Sequence, residues 1–240
     1  MTTSADRPPS GRVDFGRALG FVFEDPEWLK KILLGGLFTL LSMVVVGTLL
    51  VAGYWVRLLR RTARGEARPL PEWSDWGGLF ADGIAAFGIY LVHVLLLVLP
   101  LGAGGCLFGL VAALLDKKGG GDAVGVLAGA GILALSALVF VVALLLAVYV
   151  PAVLTRFAVL GRFGVTFELR ENLGFIRRNP GEYLLALAIF LVAHFISQFG
   201  VLLLCVGVFP ATFWSYCVLA YPLAQIARRD PLLGPAATSS

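Results

Sequence analysis

Charge is scarce in this chain and is missing altogether from four long stretches: residues 32–56, 83–115, 123–155 and 183–227. Only 14% of the residues are charged and 59% are hydrophobic, whereas a soluble domain carries about 25% charge to keep its surface wet. All 19 Lys/Arg and all 15 Asp/Glu fall in 1–31, 57–82, 116–122, 156–182 and 228–230. A helix crossing a bilayer needs about 20 apolar residues, and every charge-free stretch reaches that length. None shows the short alternating strands of a membrane barrel, so long helices are the way to satisfy the backbone in lipid. The absences also bound the chemistry. No carboxylate lies inside an apolar stretch, and no catalytic motif, cofactor fingerprint or metal-ligand spacing occurs, so no catalytic, cofactor or metal residue is assigned. Three cysteines in apolar stretches make no disulfide framework. The net charge is only +4, and the basic residues cluster beside apolar stretches, a pattern that suits topology and anionic lipid and not nucleic acid.

What is there reads as an all-α polytopic membrane protein. Residues 1–13 hold Ser, Thr and a Pro-Pro pair and are expected to form a disordered tail, with a second tail at 230–240. Residues 1–31 lack the apolar core and cleavage site of a secretory leader, so the first apolar stretch is expected to stay in the membrane. Phe15, Leu19, Val22 and Phe23 share a helical face, which predicts a short helix lying in the membrane interface and ending at Asp25-Pro26. The pattern recurs. Leu19-Gly20-Phe21-Val22 is matched by Leu173-Gly174-Phe175-Ile176, Asp25-Pro26 by Asn179-Pro180, and Gly53-Tyr54 with Arg60-Arg61 by Ala220-Tyr221 with Arg228-Arg229. We read a degenerate internal repeat, with units 14–62 and 167–229 around a central helix pair at 83–160, in a single helical membrane domain spanning 14–229.

The number of crossings follows from length and charge. At about 1.5 Å per residue, 183–227 is more than twice the ~30 Å hydrocarbon core and must fold back, near 205–210. The stretches 83–115 and 123–155 each read as one long, tilted or kinked helix, with Pro100 as a cause of kinking. The stretch 32–56 could cross once by length. If it is instead a shallow hairpin turning near Gly47, 17 Lys/Arg share the cytoplasmic side and two lie outside; a single crossing divides them twelve to seven. The positive-inside rule and the repeat favour the hairpin, giving six helical passes, with five as the runner-up.

Several of these segments carry a family resemblance: Phe23-Glu24-Asp25-Pro26-Glu27-Trp28-Leu29-Lys30-Lys31-Ile32-Leu33; Ala52-Gly53-Tyr54 with Arg60 and Gly65-Glu66; Leu70-Pro71-Glu72-Trp73-Ser74-Asp75-Trp76; and Arg178-Asn179-Pro180-Gly181-Glu182-Tyr183-Leu184. Together they resemble the prokaryotic membrane proteins grouped as domain of unknown function 4013, over roughly residues 14–228. The resemblance implies a multi-pass protein of a prokaryotic plasma membrane. It brings no activity, substrate or site residues.

Ionisable residues inside the membrane are costly and are functional candidates by default. Two qualify. His93 lies about 14 Å into its helix and His194 about 16 Å into its own, with Gln198 one turn beyond on the same face. Such a cluster could relay protons or hold a metal; the alternative is that each histidine bonds a neighbouring helix and orients packing. Cys106 and Cys205 fall at matching depth, as separate apolar thiols or an outward-facing disulfide. Trp28, Trp73, Trp76 and Tyr183 suit the headgroup region as interfacial anchors. Ser74 or Asp75 is placed to cap a helix, and Glu72, Asp75 and Asp82 offer an alternative carboxylate site. Gly125-x-x-x-Gly129 has the spacing of close helix packing, within the fold or in a homodimer.

Three functional classes follow. A non-enzymatic accessory or lipid-interacting membrane module, whose partners are membrane lipids and another protein or a second copy, accounts best for the interfacial segments. A small transporter or channel for a lipid-like or apolar solute is the alternative, since an ion or polar solute would need polar groups at mid-membrane. An intramembrane enzyme comes last.

Overall fold

The computed structural model describes residues 13–117, 121–202 and 206–234, and among these the backbone is helical almost throughout, with no strand. Asp14 caps a short helix α1 (Phe15–Gly20) by accepting the Arg17 amide at 2.9 Å, and a 3-10 turn at Phe21–Glu24 follows. Asp25 then accepts the Glu27 amide at 2.9 Å and leads into α2 (Trp28–Leu40). The chain reverses through a 3-10 turn at Leu41–Met43 into α3 (Val45–Ala63). The expected hairpin is therefore present, with its reversal a few residues before Gly47. Gly47 itself sits in the first turn of α3, where a Cβ would strike the Leu41 carbonyl.

The end of α3 is set by Gly65 at φ +76, a left-handed conformation that a glycine adopts without steric cost. The Gly65 amide donates to the Thr62 carbonyl at 2.9 Å and the Glu66 amide to that of Arg61 at 3.2 Å, closing the helix with a Schellman motif. Asp75 starts α4 (Trp76–Lys117), accepting the Gly78 amide at 3.0 Å. Next come α5 (Gly121–Leu160), ended by Gly161 at φ +68, a 3-10 turn at Phe163–Phe167, and α6 (Leu169–Arg178). Asn179 leaves the helical region ahead of Pro180, as a residue before proline tends to, and Pro180 opens α7 (Pro180–Gln198). The fold-back expected in 183–227 lies between Gln198 and Val208, where α8 (Val208–Arg229) begins.

Three of these helices are long and apolar enough to cross a membrane, over Trp76–Leu115, Val124–Leu160 and Pro180–Leu202. At 42 and 40 residues, α4 and α5 exceed the about 20 that one perpendicular crossing needs, and α4 continues helical through Pro100.

The chain divides into two compact units, one of Met1–Phe87 with Ala152–Ser240 and the other Gly88–Pro151. In the first, α8 is the central helix, enclosed by α1, α2, α3 and α7. Val218, Ala220, Leu223, Ala224, Ile226 and Ala227 are fully buried on it, so from Cys217 to Ala227 nearly its whole surface faces protein, while its first turns are half-buried. Ser215 and Tyr221, both buried, thus face protein in an otherwise apolar setting. Around it, α2 presents Leu29, Leu33, Leu37 and Leu40 outward, each 37–54% exposed, a stripe one turn apart.

The first turns of α4 meet α3 backbone to backbone. A Cβ on Gly53 would fall on the Leu79 carbonyl oxygen, and one on Gly83 on that of Leu49. Gly53→Val is accordingly expected to destabilise the protein by about 1–3 kcal/mol or more, because the obstacle is a carbonyl in a helix and cannot rotate away. Gly77→Ala, where a Cβ meets nothing within 4 Å, should be neutral or stabilising by up to about 1 kcal/mol. Equal effects of the two variants on thermal unfolding in detergent would contradict the close crossing.

In the second unit, Gly131 lies under the Phe108 ring and Gly105 beside Leu135, which brings α4 and α5 together. Gly125 and Gly129 do not take part: a Cβ at either meets nothing within 4 Å. The large apolar side chains of this unit are mostly exposed, among them Leu96, Leu99, Leu133 and Leu145 at 63–72%.

Candidate functional site

The charged side chains of the first unit gather where α3 and α8 end and α2 and α7 begin. The strongest concentration surrounds Lys31, in the first turn of α2. Its side chain is 4% exposed, and the ammonium reaches Asp25 Oδ2 at 2.8 Å, Glu72 Oε1 at 2.5 Å and the Leu70 carbonyl at 3.4 Å. Burial opposes the charge, but the hydrogen bonds to Asp25 and Glu72 outweigh it and hold the ammonium above its ordinary range. Asp25 is equally enclosed at 6%, while Glu72 remains half exposed at 54%.

Next to this cluster the 64–75 loop folds inward. Pro69, Leu70 and Pro71 are buried, and Trp73 enters an aromatic group with Tyr54 (ring centroids 4.5 Å apart), Phe38 (5.0 Å) and Phe213 (5.9 Å). The Trp73 indole N–H donates to the Lys31 carbonyl at 3.1 Å, so one residue of α2 is held through both its side chain and its backbone. Gly35 makes room for the group, since a Cβ there would penetrate the Phe213 ring.

Several other charges pair in the same way. Arg57 donates to Asp75 at 2.8 Å and Asp82 at 3.1 Å; Arg60 donates to Asp82 at 3.0 Å and the Ala158 carbonyl at 3.1 Å. Arg156 joins the end of α5 to α6 through Asn172 at 2.6 Å and Glu168 at 2.8 Å. Arg178 holds the fully buried Asp230 at 2.9 and 3.0 Å. At the N-terminal side, Phe21 stacks on Tyr221 at 4.4 Å and Gln225 accepts the Asp14 amide at 3.0 Å. Glu72, Asp75 and Asp82, weighed above as a carboxylate site, thus each face a cation of this chain. Among the described residues no three His, Cys, Asp or Glu are grouped to hold a metal.

The Asp75 carboxyl is held below its usual range, first by the Gly78 amide and then by the Arg57 guanidinium. A depressed acid stabilises the fold above its unfolded-state pKa and loses that contribution as pH falls through the folded-state value. Asp75→Ala should therefore unfold at a lower temperature than wild type at neutral pH, with the gap closing well below pH 4, about the unperturbed aspartate value. A gap independent of pH would contradict a role for the ionised carboxylate.

The two histidines lie in different units. In the second unit, His93 is buried, donates from Nδ1 to the Ile89 carbonyl at 2.7 Å, and places its ring 5.3 Å from that of Tyr149. In the first, His194 Nδ1 meets Ser215 Oγ at 3.2 Å, and Ser215 donates to the Thr212 carbonyl at 2.7 Å. Ser197 Oγ lies 3.4 Å from Thr212 Oγ1, so α7 and α8 are joined by two side-chain contacts in succession. Gln198 is drawn into this group, donating to the His194 carbonyl and to Ser197, each at 3.3 Å.

Of the aromatic residues expected at headgroup level, Trp76 is 46% exposed and Trp28 half-buried, while Trp73 and Tyr183 are buried inside the first unit. Cys106 is a free, exposed thiol, and the Cys106–Cys205 pairing involves a residue outside those described. Sequence reasoning did not find Lys31 with Asp25, Arg156 with Asn172, or Arg178 with Asp230. A signal exists only for Lys31, a lysine at the threshold of an apolar stretch; Asp230 falls in the expected tail at 230–240, and nothing near it in sequence points to Arg178.

Taken together, the fold and its paired charges define an all-helical protein of membrane-length apolar helices. The chain belongs to the family of proteins of unknown function DUF4013, whose model matches residues 36–206. No curated protein and no solved structure matches it.

Proposed function

We propose that this chain is an integral protein of a prokaryotic plasma membrane that crosses the bilayer in six helical passes. It acts without catalysis, as an accessory or lipid-interacting module. One observation carries the reading: the buried charges at the helix ends are paired with one another, while the helix flanks present large apolar residues outward. Contiguous apolar surface of this extent on a soluble monomer would drive association, whereas in a bilayer it is the surface lipid covers. Six passes are supported by the reversal at Leu41–Met43 and by the bonds from Lys31 to Glu72 and Leu70, which join the start of α2 to the chain leaving α3. A degenerate repeat is supported by the common order of short helix, proline-marked break and hairpin in α1–α3 and α6–α8. In this topology the N-terminus and the basic segments face the cytoplasm.

The test is reconstitution of the purified chain into liposomes, together with analysis of the lipid it carries through purification. The expected result is vesicles as tight to protons and small solutes as protein-free ones, and a retained lipid composition that differs from the source membrane. Solute flux that is lost in His93→Ala or His194→Ala would overturn the reading in favour of a transporter.

A further inference from the structure

We propose that the 3-10 turn at Phe163–Phe167 and the outer face of α6 form a binding surface for anionic phospholipid at the cytoplasmic headgroup layer. The proposal rests on the reading of the chain as an integral membrane module and names the lipid class that one of its surfaces takes.

The first observation is exposed apolar bulk outside the charge-free stretches. Phe163, Phe167 and Leu169 are 42%, 68% and 59% exposed, three large apolar side chains within seven residues of a polar connecting segment. Water gives such residues no return, but the boundary between headgroups and acyl chains does. The second is charge. Arg170 and Arg177 are both exposed on α6, and neither has an ion-pair partner among the described residues. Most of the other arginines are committed to a carboxylate or a carbonyl, Arg178 to Asp230 and Arg156 to Glu168 among them, while Arg64, Arg68 and Arg228, exposed like the α6 pair, lie away from the exposed phenylalanines of the 163–167 turn in sequence.

Helical geometry joins the two observations. Seven residues apart, Arg170 and Arg177 lie within about 20° of one another around α6, and opposite the buried Asn172 and Phe175. Leu169, Leu173 and Ile176 flank them on one side. The acidic Glu171 stands about 100° from Arg170 on the other side. A bilayer that receives the leucine side would thus meet the two guanidinium groups at headgroup level, with the carboxylate turned away. Arg162, 62% exposed, adds positive charge at the turn, although it also bonds Glu168 at 3.2 Å. Guanidinium pairs phosphate oxygens in a bidentate manner, and each basic residue near an anionic surface adds attraction that a zwitterionic surface does not supply.

The experiment uses the full chain in nanodiscs of phosphatidylcholine alone or with about one third phosphatidylglycerol. An environment-sensitive fluorophore is attached at Phe167→Cys in a background without other cysteines. The expected result is a probe in an apolar environment in the anionic discs, more so than in the neutral ones. Native mass spectrometry should in parallel show phosphatidylglycerol retained over phosphatidylcholine. In Arg170→Gln/Arg177→Gln this preference should fall about tenfold or more, while Arg170→Lys/Arg177→Lys keeps most of it. Because both side chains are exposed and unpaired, the glutamine variant is expected to fold and unfold like wild type.

A probe in water in both disc types, or an unchanged preference in the glutamine variant, would overturn the proposal. Failure of the underlying reading is separable, because a chain that is not integral would be extracted from membranes by alkaline carbonate whatever the probe at position 167 reports.

Discussion

Lys31→Met is expected to destabilise the protein by about 3 kcal/mol, because it removes the cation and leaves the Asp25 carboxylate buried without a counter-charge. The Lys31 side chain is 4% exposed and that of Asp25 6%, so water has little access to replace the lost partner at Asp25. Glu72, half exposed, can turn to solvent and should contribute little of the loss. Adding Asp25→Leu to Lys31→Met should recover most of the stability, since removing both members of a buried pair is far cheaper than removing one. The wild-type contribution also has a pH dependence of known sign. A raised ammonium stabilises the fold throughout the range below about pH 10, its unperturbed value, and the contribution is lost as pH rises through the folded-state value. Denaturant titration in mixed micelles measures each variant. A loss below about 1 kcal/mol in Lys31→Met, the range of exposed pairs, would show that the cluster is solvated and not structural.

The second large effect is expected at Trp73. Trp73→Ala should cost about 3–5 kcal/mol, the range for emptying an aromatic site in a packed core. The ring is 7% exposed and stands against Tyr54, Phe38 and Phe213, which cannot close the space without moving three helices. Trp73→Phe preserves most of the ring area and loses the N–H bond to the Lys31 carbonyl, so it should cost about 1 kcal/mol for that bond plus a smaller packing loss. An interfacial anchor behaves otherwise: alanine there would cost under about 1 kcal/mol, with an effect that varies with the lipid supplied. Thermal unfolding of both variants in two lipid environments separates these cases.

How far the sequence can be read is visible in the same residues. The charge-free stretches mark where long helices run, Pro180 marks where one starts, and the place of Ser74 and Asp75 before an apolar run marks a helix cap, which the structure gives to Asp75. The fold-back of 183–227 follows from length alone, and the hairpin in 32–56 from charge. Inward and outward faces are another matter. In a chain whose outer surface is also apolar, hydrophobic periodicity does not distinguish the side of α2 that packs on α8 from the side carrying Leu33 and Leu37. For the same reason a tryptophan in the 64–75 loop gives no local sign of whether it faces headgroups or, as Trp73 does, the protein interior. The ion pairs were illegible for a different cause. Arg178 and Asp230 lie 52 residues apart, and no local pattern links residues that only tertiary packing brings together; Lys31 and Asp25 lie only 6 apart, but their burial depends on the chain at Leu70, 39 residues from Lys31. The histidines were visible as exceptions in apolar runs, while Ser197, Thr212 and Ser215, which complete the polar contacts of His194, are too common in membrane helices to stand out.

The central claim is the six-pass topology that places both ends of the α2–α3 hairpin on the cytoplasmic side. Its most direct test is single-cysteine accessibility in intact cells, at Ser4, Ala63 and Gly120 in a cysteine-free background, with a reagent that does not cross membranes. The account predicts labelling of Gly120→Cys from outside, and of Ser4→Cys and Ala63→Cys only after permeabilisation. Labelling of Ser4→Cys from outside with Ala63→Cys protected would mean that the segment between them crosses once, and would contradict it.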